Sequence, residues 1–126
     1  GHAELTQSVL EGVSFALRDS LEALKSTGAQ MEKLMALGGG AQSPYWVELF
    51  ATVLDLPIDL PEQGEFGAAL GAARLAICGV TGAPPSEVMT KPAIKDIIQP
   101  RADLQSAYEA SYQNFRRAYP AIKGLL

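Results

Sequence analysis

Residues 34–46 read Leu-Met-Ala-Leu-Gly-Gly-Gly-Ala-Gln-Ser-Pro-Tyr-Trp, and no other stretch of the chain has residue types and spacing better suited to chemistry. An apolar run broken by Gly38, Gly39 and Gly40, followed by Ser43-Pro44 as a helix start, brings bare backbone N–H groups and the positive end of a helix dipole together. That combination suits an anion, phosphate above all. A phosphate-cradling P-loop needs Lys followed by Ser or Thr at its end, but Ala41, Gln42 and Ser43 stand there instead. A dinucleotide fingerprint fits slightly better, since Gly38 and Gly40 have its first spacing and Asp59 lies near the place of a ribose-binding acid; Ser43 at the third glycine position counts against it. On these residues alone a plain turn is an equal alternative. The rest of the chain offers little. His2, the only histidine, reads with Gly1 as the remnant of a cleaved tag, and Cys78, the only cysteine, as a small buried apolar residue.

The elements that must position this loop can be read from periodicity. Leu10, Val13, Leu17, Leu21 and Leu24, with charged residues between them, predict an amphipathic helix over about residues 4–27, stopped at Thr27-Gly28. Lys33 to Leu37 predicts a short buried strand that the glycines end. Ser43 as N-cap and Pro44 at the first helical position predict a helix to about Asp55. Leu56 to Pro61 reads as a second strand bounded by prolines. A third helix, about 66–81, carries Gly67, Ala68, Gly71, Ala72 and Ala76, which predicts that something approaches that face closely. Residues 82–100, with four prolines, read as an irregular crossing. The last helix, about 102–119, shows Leu104, Tyr108, Tyr112, Phe115 and Tyr119 along one stripe and should end at Pro120. That stripe reads as core rather than as a sugar platform. Trp46 should pack under the glycine loop, and Arg116 and Arg117 should stand on a solvated face.

The order of elements predicts an α/β arrangement, mostly helical, with about two short parallel strands. Two strands make a poor sheet, so the sequence reads as part of a larger domain. With 126 residues, 48% of them hydrophobic and 19% charged, a core is within reach. A net charge of −4 argues against nucleic acid or an anionic membrane surface as a partner, and no apolar segment approaches the roughly 18 residues a membrane helix needs. One cysteine cannot form an internal disulfide, which fits a reducing cytoplasm.

Gly38-Gly39-Gly40-Ala41, Ser43 and Trp46 together resemble the adenosine motif of the FGGY family of carbohydrate kinases, members of the actin-like ATPase superfamily. Glu11-Gly12-Val13-Ser14-Phe15-Ala16 resembles the helix before that motif, and Ala68 to Ala76 the family's last shared helix. The tail with Tyr108, Tyr112, Phe115-Arg116 and Ala118-Tyr119-Pro120 is similar to the ending of its xylulokinase branch. Glu48 and Thr52 depart from the Gln and Asp common at those positions.

What the resemblance implies is that residues 3–126 are the C-terminal part of the second of two ribonuclease H-like domains, lacking the first domain and the first strands of the second. Such a kinase transfers the γ-phosphate of ATP to D-xylulose with Mg2+, or in related members to ribulose, gluconate or fuculose. Gly38, Gly39, Gly40, Ala41 and Ser43 would line the adenosine side of the ATP site, with Ser43 near adenine and ribose. The sugar and the aspartate that takes its proton would belong to the absent part. The segment alone should therefore be inactive, and the small residues Gly67 and Gly71 would lie beside an interdomain hinge. A non-catalytic assembly module is the rival reading. Because unpaired strands invite pairing, the isolated segment is expected to form a dimer or higher oligomer.

Overall fold

The segment Pro44–Leu54, apolar on nearly every face, is the helix around which the rest is built. The computed structural model of the chain describes residues 1–62 and 64–125. This helix, α2, starts where the Trp46 N–H donates to Ser43 Oγ at 3.4 Å and Pro44 fills the first turn; it ends at Asp55, which takes a left-handed φ of 53°. Val47 and Ala51 are fully buried. A helix apolar all round must be covered on both sides. One side sets Val47 and Ala51 against Ile58 and the sheet. The other sets Leu49 and Val53 against Phe15 of α1 (His2–Ser26) and Tyr112 of α5 (Gln105–Lys123).

The sheet has three strands in the order β1 (Leu34–Met35), β2 (Ile58–Pro61), β3 (Ile94–Ile98). β1 and β2 are parallel as expected, pairing Leu34 with Ile58 and Met35 with Asp59. β3 is antiparallel to β2, with Ile98 opposite Ile58 and a register shift between Leu60 and Pro61. Residues 82–100 are therefore not the irregular crossing expected: β3 and the short α4 (Pro85–Val88) lie there. The fold is otherwise the mostly helical α/β unit expected, with a third strand added to its edge. Within the described residues β1 is paired on one side only.

α3 (Gly67–Thr81) closes at Gly82 with φ 71° and buries no residue, leaving Leu75 and Val80 65% and 87% exposed. The predicted close approach to its small-residue face is not found among the described residues. A Cβ at Gly67 would meet Leu37 at an ordinary 3.4 Å, and one at Gly71 would meet nothing within 4 Å. α5 runs through Pro120 rather than ending there. So near the helix end, the missing N–H and the crowded carbonyl four residues back disturb only the last turn. Its Tyr108, Tyr112 and Phe115 pack into the core as predicted, whereas Tyr119 is exposed.

A polar cluster pins α5 to α1. Arg18 lies 2.5 Å from Glu109, the Tyr112 hydroxyl donates to Asp19 at 2.5 Å, and the Arg18 guanidinium sits 4.2 Å above the Tyr112 ring. Arg116, expected on a solvated face, reaches Asp19 at 3.4 Å. Burial, followed by the bond to Asp19, pushes the Tyr112 hydroxyl up to about 12.

Candidate functional site

β1 ends in a chain reversal that the glycines make possible. Gly38 sits at φ 91°, ψ −177°, a conformation open in practice to glycine alone, and its N–H donates to Gly64 O at 2.9 Å. Gly39–Gln42 then form one turn of 3₁₀ helix, closed by Ala41 N–H to Gly38 O at 3.1 Å and Ser43 N–H to Gly40 O at 3.2 Å. That turn aims the chain into Ser43-Pro44 and the N-terminus of α2.

The three glycines serve three different ends. Gly38 is required by its dihedral angles. Gly40 is required by packing, because a Cβ there would lie 2.9 Å from the Trp46 ring, which sits beneath the loop as the sequence predicts. Gly39 is required by neither: its φ is not positive, and a Cβ would meet nothing within 4 Å. Gly39 is also exposed, and neither its N–H nor that of Gly40 finds an acceptor among the described residues. Bare, donor-bearing backbone is thus presented to open space at the start of the turn.

The turn divides two open spaces. Gly38 and Ala41 line a cavity of about 490 Å3 with Gln42, Pro44, Glu62, Gly64, Lys95 and Asp96. Gly40 and Ala41 line an apolar groove of about 530 Å3 with Trp46, Leu34 and Leu37 and, across from them, Val13, Leu17 and Leu24 of α1. Ser43, expected beside adenine and ribose, lines neither; its hydroxyl accepts the α2 cap hydrogen bond. Sequence reading missed Lys95 and Asp96, which come to the cavity wall on β3, more than fifty residues after the turn, with no local pattern to announce them.

Asp59, near the place of a ribose-binding acid in the dinucleotide reading, lies within β2. It is buried, pairs with Lys33 at 2.5 Å, and leaves its Oδ1 without a partner among the described residues. The departures at Glu48 and Thr52 also have a local account. Thr52 Oγ1 accepts from the Arg101 N–H at 3.1 Å and donates to Glu48 O, while Glu48 Oε1 meets the Arg101 guanidinium at 3.3 Å, tying the β3–α5 connection to α2. No three His, Cys, Asp or Glu side chains converge among the described residues, and no described helix is long and apolar enough to cross a membrane.

Comparison with known proteins places this geometry. The family model described as "FGGY family of carbohydrate kinases, C-terminal domain" matches residues 1–80. A xylulose kinase of Escherichia coli (strain K12) is 33% identical over 127 aligned positions, covering 100% of this chain and 26% of that protein. Among solved structures, a crystal structure titled as a xyloylose kinase from Brucella ovis is 48% identical with a TM-score of 0.86, covering 100% of this chain and 26% of that one. The xylulose kinase from Rhodospirillum rubrum is 25% identical with a TM-score of 0.79, over 99% and 26% of the two chains. The chain spans about a quarter of the length of the curated relatives it matches. With the family model fitting more than half of its residues and the solved folds superposing over its whole length, the chain belongs to the FGGY family of carbohydrate kinases, as a C-terminal portion.

Proposed function

We propose that residues 3–126 supply the adenosine side of the ATP site of a sugar kinase, as the C-terminal part of its second domain. Gly38, Gly39, Gly40, Ala41 and Ser43 form the loop: Gly39 offers its N–H to the nucleotide, Gly38 and Gly40 hold the turn's shape, Ala41 forms wall, and Ser43 caps the helix whose dipole points at the ligand. The parent enzyme transfers the γ-phosphate of ATP to a hydroxyl of D-xylulose, forming D-xylulose 5-phosphate and ADP. Relatives named as xylulose kinases support xylulose over the ribulose, gluconate or fuculose of related members.

The observation that carries this reading is Gly39, a glycine that neither its backbone angles nor its neighbours require. A ligand approaching the backbone within hydrogen-bonding distance supplies the missing reason. In the parent enzyme Mg2+ would accompany the nucleotide. No residue of this chain is assigned the proton from the sugar hydroxyl, and the isolated segment is inactive in this reading.

Incompleteness is supported by four features on one side of the fold: the free edge of β1, the apolar groove beside it, exposed Leu17, Leu24 and Leu37, and a buried Trp46 Nε1 with no acceptor among the described residues. In the parent, the preceding strands of the same domain would cover them. The test is Gly39→Val in the parent kinase, where the side chain blocks the approach to the loop; the ATP KM should rise about tenfold or more while the D-xylulose KM stays put. Equal ATP KM values in variant and wild type would remove the nucleotide from this loop.

A further inference from the structure

Gly40 and Ser43, two of the residues assigned to the loop, are both touched by Trp46. Its six-membered ring lies where a Cβ on Gly40 would come within 2.9 Å of Cζ3 and 3.2 Å of Cε3, and its backbone N–H donates to Ser43 Oγ at 3.4 Å. Phe50 backs the indole in a stacked arrangement, centroids 5.0 Å apart. The indole therefore forms a braced floor under the Gly40 peptide.

Hydrogen bonds from a loop to a ligand weaken steeply with small errors in distance and angle. The residue beneath the turn thus controls the aim of amides it does not itself carry. We propose that Trp46 is a positioning residue for the nucleotide, setting the height of the Gly39–Gly40 backbone against the ligand without touching it. This rests on the assignment of the adenosine loop above.

The experiment compares Trp46→Leu and Trp46→Phe in the parent kinase, at a temperature where circular dichroism shows every variant folded. Trp46→Leu should raise the ATP KM about tenfold, with kcat and the D-xylulose KM within about twofold of wild type. Trp46→Phe, keeping a shorter ring in place, should fall between. Gly40→Ala alone should also raise the ATP KM, because its methyl meets the ring. Combined with Trp46→Leu, that methyl enters the vacated space, and the ATP KM should return toward wild type, a coupling that general loss of stability does not produce. Additive effects of Gly40→Ala and Trp46→Leu, or a rise in the D-xylulose KM matching that for ATP, overturn the proposal. Gly39→Val serves as control: if it raises the ATP KM and the Trp46 variants do not, only the positioning role fails, whereas indifference to Gly39→Val as well takes down the adenosine loop itself.

Discussion

At the scale of single residues, the glycine triplet shows that one sequence motif can bundle unrelated physical demands. Gly38 answers a backbone demand, Gly40 a packing demand from Trp46, and Gly39 neither. Stability measurements should separate them. Gly38→Ala forces a Cβ into a glycine-only region and should lower the unfolding free energy by about 1–3 kcal/mol. Gly39→Ala, placed in open space on a helical turn, should change it by less than about 0.5 kcal/mol. Denaturant titration of both variants checks this, and a Gly39→Ala loss as large as that of Gly38→Ala would mean the fold itself requires glycine there.

At the scale of elements, α2 is held between a sheet and a helix pair, and α5 is held to α1 by Arg18, Asp19, Glu109 and Tyr112. Tyr112 makes that clasp sensitive to alkali. Its hydroxyl is pushed from the ordinary 10 up to about 12, by burial first and by the Asp19 carboxylate second. A folded value above the unfolded one means the protonated hydroxyl stabilises the fold fully below about pH 10, and that stabilisation is lost as pH rises through the folded value of about 12. Tyr112→Phe should be less stable by about 1–3 kcal/mol near neutrality, since it abandons a charge-assisted hydrogen bond, and should show a shallower decline in stability above pH 10. Melting temperatures of the two proteins across pH 8 to 12 provide the comparison; parallel curves would remove Tyr112 from the alkaline transition.

At the scale of the whole molecule, apolar surface stands uncovered on two sides, along the groove between α1 and β1 and along α3. Soluble monomers rarely leave contiguous apolar surface of this kind open, and a strand edge such as that of β1 is a template for pairing. In isolation the chain should therefore self-associate at micromolar concentration, through the groove and the edge of β1. Light scattering reads the outcome directly. A compact monomer there would mean that the groove and edge are stable as they stand.

The sequence by itself determined the local features: the amphipathic α1 and its stop at Gly28, the Ser43-Pro44 start of α2, the parallel β1–β2 pair and the glycine turn between them. These are legible because caps, breakers and periodicity act over a few residues, and the family's motif is itself a short run. β3 was missed because Pro92 and Pro100 dominate a local reading of the segment holding Ile94, Ile97 and Ile98, and its strand identity comes from pairing with β2 more than thirty residues earlier. Tertiary structure alone decided which glycine faces solvent and which faces Trp46, that Ser43 lines neither open space, that Asp59 is buried against Lys33, and that Lys95 reaches the loop's cavity. Burial and proximity of this kind depend on how helices and strands stack across long chain separations, and residue spacing along the chain carries no record of them.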